Sequence, residues 1–193
     1  MEFRQLGTSG LRISAIGLGC NPFGNEVDAQ TAEIIVNSAI DAGITYFDTA
    51  DTYFGGKSED YLGRALRGKR DKVLVATKFG NPAGKGPNET GGSRHHIIES
   101  CESSLRRLRT DHIDVYQMHA PDRTTPIEET MRALDDLVRS GKVRYIGCSN
   151  FFEWEIADAQ WTAETKGLTK FVSSQDMYNL LYRDIEKRME PYC

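Results

Sequence analysis

Short apolar runs alternate with longer stretches of helical periodicity along the whole chain, and this alternation sets the expected architecture. After a segment with hairpin character, Phe3 to Ile13, a strand is expected at Ala15 to Leu18 and a helix near Thr31 to Asp41. A strand at Thr45 to Asp48 then precedes a helix at Ser58 to Leu66, and Val73 to Lys78 precedes a helix at Arg94 to Leu108. Ile113 to His119 precedes Pro126 to Arg139, and Val143 to Cys148 precedes a helix around Glu153 to Thr165. Phe171 to Gln175 leads toward a last helix that starts near Arg183. The third helix gathers Ile97, Ile98, Cys101, Leu105 and Leu108 on one stripe, and the fourth turns Ile127, Met131, Leu134 and Val138 inward. Gly43, Gly68, Gly141 and Gly167 stand where helices should end in left-handed caps. Thr125-Pro126 followed by Glu128 and Glu129 is a helix start with a capping side chain.

Strands that alternate with helices imply parallel βαβ units. A doubly wound sheet would place its ligand on a glycine-rich first turn. The first turn here, Gly17-Leu18-Gly19-Cys20-Asn21-Pro22, lacks that fingerprint, so the expected fold is a (β/α)8 barrel preceded by a β-hairpin. A closed barrel needs eight units and about 250 residues, whereas 193 residues carry six here. Residues 1–193 therefore read as one incomplete barrel domain that stops before the seventh and eighth units. Six units leave the strands at Ala15 to Leu18 and Phe171 to Gln175 unpaired. Alone, such a chain is expected to aggregate or pack poorly and to be inactive.

Asp48, Lys78 and His119 each end one of the apolar runs, and Tyr53 lies just past the first of those ends. In a parallel α/β barrel the carboxyl ends of the strands converge on one face, which carries the chemistry. An acid, a phenol, an amine and an imidazole gathered there would form a proton-transfer site. The competing reading is an ordinary Asp–Lys ion pair at a barrel rim and a satisfied core histidine. The loop from Asn81 to Ser93, rich in Gly, Pro and Asn, follows Lys78 directly and is read as either a mobile substrate loop or a solvated connection. His95 and His96 are read as surface residues, and Trp154 and Trp161 as packing on the fifth helix.

A net charge of −4 and 39% hydrophobic residues fit a globular domain and do not suggest a nucleic-acid binder. No stretch is long and apolar enough to span a membrane. Met1-Glu2-Phe3-Arg4 does not open a signal peptide, so a cytoplasmic location is expected by default. Cys20, Cys101, Cys148 and Cys193 lack CxxC spacing and suggest neither a zinc site nor a disulfide framework.

Five motifs then point to one family. Ile44-Thr45-Tyr46-Phe47-Asp48-Thr49-Ala50 with Tyr53, Gly56 and Ser58-Glu59 resembles the first signature of the aldo-keto reductases. Val75-Ala76-Thr77-Lys78 resembles their lysine strand. Ser103, Leu105 and Arg107-Leu108, leading to Asp111, Ile113-Asp114 and His119, resemble a third motif. Gly147-Cys148-Ser149-Asn150-Phe151 and Gln175 with Tyr178-Asn179 resemble two more, and the resemblance covers all 193 positions in order.

The resemblance implies reduction of aldehydes or ketones to alcohols with a nicotinamide cofactor, usually NADPH, with NADH possible. It implies that Asp48, Tyr53, Lys78 and His119 are catalytic, with Tyr53 the proton donor to the developing alkoxide. A free phenol, with a pKa of about 10, is a reluctant acid at neutral pH, and a neighbouring ammonium such as Lys78 favours its release of a proton. Asp48 would hold Lys78, and His119 would orient the carbonyl oxygen of a small-molecule substrate. Ser149, Asn150 and Gln175 carry hydroxyl and amide groups suited to the nicotinamide carboxamide, and the resemblance implies that they bind it, with Asp48 as a further cofactor contact. A strand-end Ser-Asn can also cap a helix. In the family, the residue that stacks on the nicotinamide and those that hold the phosphates come from the seventh and eighth units. A non-catalytic regulatory subunit with the same barrel, of the kind that serves potassium channels, is the alternative function.

Overall fold

The computed structural model describes residues 1–193. A β-hairpin of β1 (Phe3–Gln5) and β2 (Arg12–Ser14) comes first. Six parallel strands and their helices follow. They are β3 (Gly17–Gly19), α1 (Ala29–Asp41), β4 (Tyr46–Asp48), α2 (Lys57–Ala65), β5 (Leu74–Phe79) and α3 (Arg94–Leu108). Then come β6 (Ile113–Met118), α4 (Ile127–Arg139), β7 (Val143–Ser149), α5 (Glu153–Lys166) and β8 (Phe171–Gln175). The strands lie side by side in chain order, all parallel, with β3 and β8 at the edges. This is the expected six-stranded, incomplete (β/α)8 barrel.

One side-chain contact shows how strongly the sheet curls. In a flat sheet, four strand steps from β4 to β8 would separate the backbones by about 19 Å. Yet Gln175 Nε2 donates to Asp48 Oδ2 across that span at 3.2 Å. The hairpin closes the opposite end. Ser14 exchanges two hydrogen bonds with Thr45 just before β4, at 3.1 and 3.0 Å. At the far side a Cβ on Gly7 would fall 2.0 Å from the Val172 carbonyl oxygen in β8. The hairpin therefore reaches from one side of the curled sheet to the other beneath the strands.

Residue parity divides the sheet into an inner and an outer face. On β6, Tyr116 points outward, where it packs on Phe79 at 4.7 Å between ring centroids and donates to the Ile97 carbonyl of α3. Gln117 and the residue that follows the strand by one, His119, thus face the bowl. The outer face meets the inward stripes of the helices, including Ile97, Cys101 and Leu105 on α3 and Met131, Leu134 and Leu137 on α4. Gly43, Gly68, Gly141 and Gly167 all take positive φ past helix ends, as expected.

Several expectations need correction. β3 begins at Gly17 rather than Ala15. Thr125 does not cap α4: its hydroxyl donates to Asp122 Oδ2 at 2.6 Å, and Pro126 takes the cap position with no side-chain bond. Near Arg183 there is only a 3-10 turn, Asp184–Lys187, before a four-residue helix, Met189–Tyr192. Trp154 and Trp161 are 57% and 69% exposed. The inner face of α5 is set by Ile156, Ala159 and Ala163, and residues 154 and 161 fall on the opposite side of that helix. His96 is 3% exposed, because the start of α3 packs beneath the loop that follows β5, with its ring 3.4 Å from Ser100 Oγ. That loop is held internally and from outside: Glu89 accepts from Gly86 N, and Asp122 accepts from Gly92 N at 2.8 Å.

Candidate active site

The strand ends bring the four predicted residues together. Lys78 is 2% exposed. Its Nζ donates to both carboxylate oxygens of Asp48, at 2.8 and 2.7 Å, and to the Thr49 carbonyl at 3.0 Å. The same nitrogen lies 3.2 Å from Tyr53 Oη. An ammonium can be buried this deeply only when its charge is matched and its hydrogens have acceptors, and Asp48, Thr49 and Tyr53 meet both needs.

Tyr53 is aimed by an unusual turn. Phe54, Gly55 and Gly56, the three residues after it, all take left-handed conformations, with φ of 50°, 64° and 85°. Glycine is required at position 56 twice over, by this φ and because a Cβ there would lie 2.6 Å from Arg107 Cδ. Arg107 sits so close because its Nε donates to Glu59 Oε2 at 2.6 Å. Glu59, whose side chain has no exposed surface, also accepts from Thr77 Oγ1 at 2.5 Å. Its neighbour Ser58 donates to the Cys20 carbonyl at 2.7 Å and shares a hydrogen bond of 2.8 Å with Thr49. The start of α2 thus grips Thr49 and Thr77, the residues next to Asp48 and Lys78.

His119 meets Tyr53 edge-on, with ring centroids 5.7 Å apart at 78°. Burial, reinforced by the charge of Lys78, lowers its pKa to about 4, so the imidazole is neutral at pH 7. Its Nδ1 is buried without a partner, which leaves Nε2 as the nitrogen open to a ligand.

Ser149 ends β7 with Asn150 directly after it, and Gln175 ends β8. Asn150, at φ 59°, gives its amide hydrogens to the His119 carbonyl and to Ser149 Oγ, both at 2.9 Å. Neither residue caps α5, where Glu155 accepts from Phe152 N at 2.8 Å. Asn150 Oδ1 makes no internal hydrogen bond, and Asn150 and Gln175 are both exposed. An open amide oxygen beside an exposed amide is a donor and acceptor set that fits a carboxamide.

Two residues, Gln117 and Asp51, and the contacts of Glu59 are not foreshadowed by the sequence motifs. Gln117 donates to Gln175 Oε1 at 3.0 Å and approaches Asp48 Oδ1 at 3.5 Å. Its signal was available, since it precedes His119 by two on a strand and must share its face. The contacts of Glu59 with Thr77 and Arg107 join distant segments and leave no local signal. Asp51 is 5% exposed with neither oxygen hydrogen-bonded. It lines a cavity of about 540 Å³ with Thr52, Gly55, His96, Ser100 and Arg107, beside the Tyr53 turn, and neither Lys78 nor His119 is among the lining residues.

Burial, and then the charge of Glu59, raise the Asp51 pKa to about 7, against the pull of Arg107. The unfolded chain binds this proton only below about pH 4, so the folded state holds it more tightly. The stability Asp51 contributes is full below pH 4 and is lost as pH rises through 7. Asp51→Asn in the full chain is therefore expected to raise the melting temperature by several degrees at pH 8 and to change it little at pH 4. Scanning calorimetry at both values checks this, and equal shifts would reject it.

Comparison with known proteins agrees with this geometry. A sequence model of the Aldo/keto reductase family matches residues 15–193. Versiconal hemiacetal acetate reductase of Aspergillus parasiticus is 40% identical over 219 residues, which span 100% of this chain and 64% of that protein. An uncharacterized oxidoreductase of Bacillus subtilis, YrpG, is 44% identical over 202 residues, 99% of this chain and 62% of its own length. A probable voltage-gated potassium channel subunit beta of Oryza sativa is 38% identical, over 95% of this chain and 57% of its own. The chain belongs to the aldo/keto reductase family. It spans about three-fifths of the length of these curated relatives.

Proposed function

We propose that these residues carry the proton-transfer centre of an NAD(P)H-dependent oxidoreductase that reduces aldehydes or ketones to alcohols, with NADPH the expected cofactor. The observation that carries this reading is Lys78 Nζ, buried and bonded at once to Asp48 and to Tyr53 Oη. The cofactor would supply the hydride. Tyr53 then delivers a proton to the carbonyl oxygen, and the adjacent ammonium stabilises the phenolate left behind. Neutral His119 presents Nε2 to the same oxygen and fixes its direction. Asp48 keeps Lys78 in place. Asn150 and Gln175, with Ser149 behind Asn150, hold the nicotinamide carboxamide.

The test is cofactor consumption by a chain completed with the seventh and eighth βα units, against a panel of aldehydes and ketones, each run with NADPH and NADH. Absence of turnover on every carbonyl would reject the reading. Asn150→Ala and Gln175→Ala are each expected to weaken nucleotide binding by on the order of 1 kcal/mol, the worth of a hydrogen bond to the carboxamide. Fluorescence titration checks this, and an unchanged dissociation constant in both would remove these residues from the cofactor site.

The likeness to potassium channel β-subunits favours a second reading, a regulatory subunit on the same barrel. A pure scaffold has no need for a buried ammonium aimed at a phenol, and the intact quartet weighs for the enzyme. A protein that binds NADPH tightly and turns over no carbonyl would reverse that preference.

A further inference from the structure

We propose that Gln117 is a positioning residue for this reaction, the strut that joins the Asp48–Lys78 pair to the carboxamide of Gln175; this rests on the reductase reading above. Gln117 is 2% exposed and points into the bowl from β6. A buried amide must place its hydrogens, and this one spends them on the two neighbours that matter. One goes to Gln175 Oε1 at 3.0 Å and the other is directed at Asp48 Oδ1 at 3.5 Å. Gln175 Nε2 completes the triangle with Asp48 Oδ2 at 3.2 Å.

The three residues come from β4, β6 and β8, which are alternate strands, and so they form one interior layer of the barrel. Such layers are usually built of bulky branched apolar side chains. Here the layer is polar and closed on itself.

The route between Gln117 and Gln175 has been kept clear. β7 lies between their strands, and the residue in register with Gln117 is Gly147. A Cβ at that position would sit 3.4 Å from Gln117 Cγ and 2.7 Å from Ser173 Oγ. With glycine there, the Gln117 side chain leans across the middle strand to the one beyond.

The consequence for the reaction follows from donor and acceptor counts. With its Oε1 taken by Gln117 and one amide hydrogen by Asp48, Gln175 is locked in a single orientation, and its remaining hydrogen is presented outward. Removing Gln117 frees the Gln175 amide to rotate and takes one donor from Asp48. Cofactor affinity should suffer first, through Gln175.

The test is a double-mutant cycle in a chain completed with the seventh and eighth βα units, with Q117M, Q175L and the double variant, reading the NADPH dissociation constant and the single-turnover reduction rate. Methionine keeps the length of glutamine and removes only its polar end. Q117M is expected to raise the dissociation constant about 5–10-fold and to add less than 2-fold when Q175L is already present, because it acts through Gln175. A merely structural role would lower stability and leave this coupling at zero. Should Q117M fail to fold, Q117L goes through the same cycle. Equal effects in both backgrounds, or none in either while Q175L still weakens binding, overturn the proposal. If Q175L itself binds NADPH like the parent, the cofactor contact fails and the strut falls with it.

Discussion

Replacing Tyr53 with phenylalanine in a chain completed with the seventh and eighth βα units is expected to cut carbonyl reduction by about 10²–10⁴-fold, the usual worth of a positioned general acid. Nucleotide affinity should stay close to that of the parent. The change removes one oxygen, which in the resting structure bonds only to Lys78 at 3.2 Å. The ring contacts remain, with His119 edge-on at 5.7 Å and Lys78 Nζ 5.0 Å from the ring centre. What is lost is an interaction made with the alkoxide in the transition state, so kcat and kcat/KM should fall together. Steady-state turnover beside stopped-flow nucleotide binding would show this pattern. A variant that keeps most of its activity would exclude Tyr53 as the proton source.

Lys78→Met should damage both activity and stability. Lys78 is buried and Asp48 only 14% exposed at its side chain, so the substitution leaves a carboxylate without its counter-ion. Breaking a buried pair by removing one partner costs about 3–5 kcal/mol. The lower end is expected here, since Gln117 and Gln175 still donate to Asp48. Lys78→Met with Asp48→Asn should recover much of that stability, because no unpaired charge remains, yet recover no activity. Denaturant unfolding and turnover, measured on the single and double variants, separate the two effects. A stable but inactive single variant would show that solvent or another cation already compensates Asp48.

The fold was legible to the extent that it is local. The start of α3 at Arg94 follows from Ser93, whose hydroxyl accepts from His96 N, and its apolar stripe runs unbroken to Leu108. The parallel strands end within one residue of where the apolar runs place them, and Gly43, Gly68, Gly141 and Gly167 take positive φ at the expected helix stops. The quartet was legible because barrel topology alone brings strand ends together. The contacts that hold it were not. Glu59 reaches Arg107 and Thr77 across 48 and 18 positions, and nothing near Glu59 marks it as buried. His96 and the two tryptophans were misplaced for a simpler reason. Helical phase decides burial over residue type: Ile156, Ala159 and Ala163 define which side of α5 faces inward, and His96 shares the inward side of α3 with Ile97, Ser100 and Cys101.

The order of strands in the sheet bears on how such a chain is made. Each parallel strand pairs with the one synthesised just before it, roughly thirty residues upstream, so the sheet can grow by accretion as the polypeptide leaves the ribosome, without waiting for distant partners. Asp48, Tyr53 and Lys78 emerge within the first three parallel strands and can meet early in synthesis. Gln175, which closes the polar layer, arrives with the sixth. The corner of Asp48, Tyr53 and Lys78 is thus assembled long before the amide proposed to hold the nicotinamide ring, and a pulse of translation arrested between β5 and β8 would display one without the other.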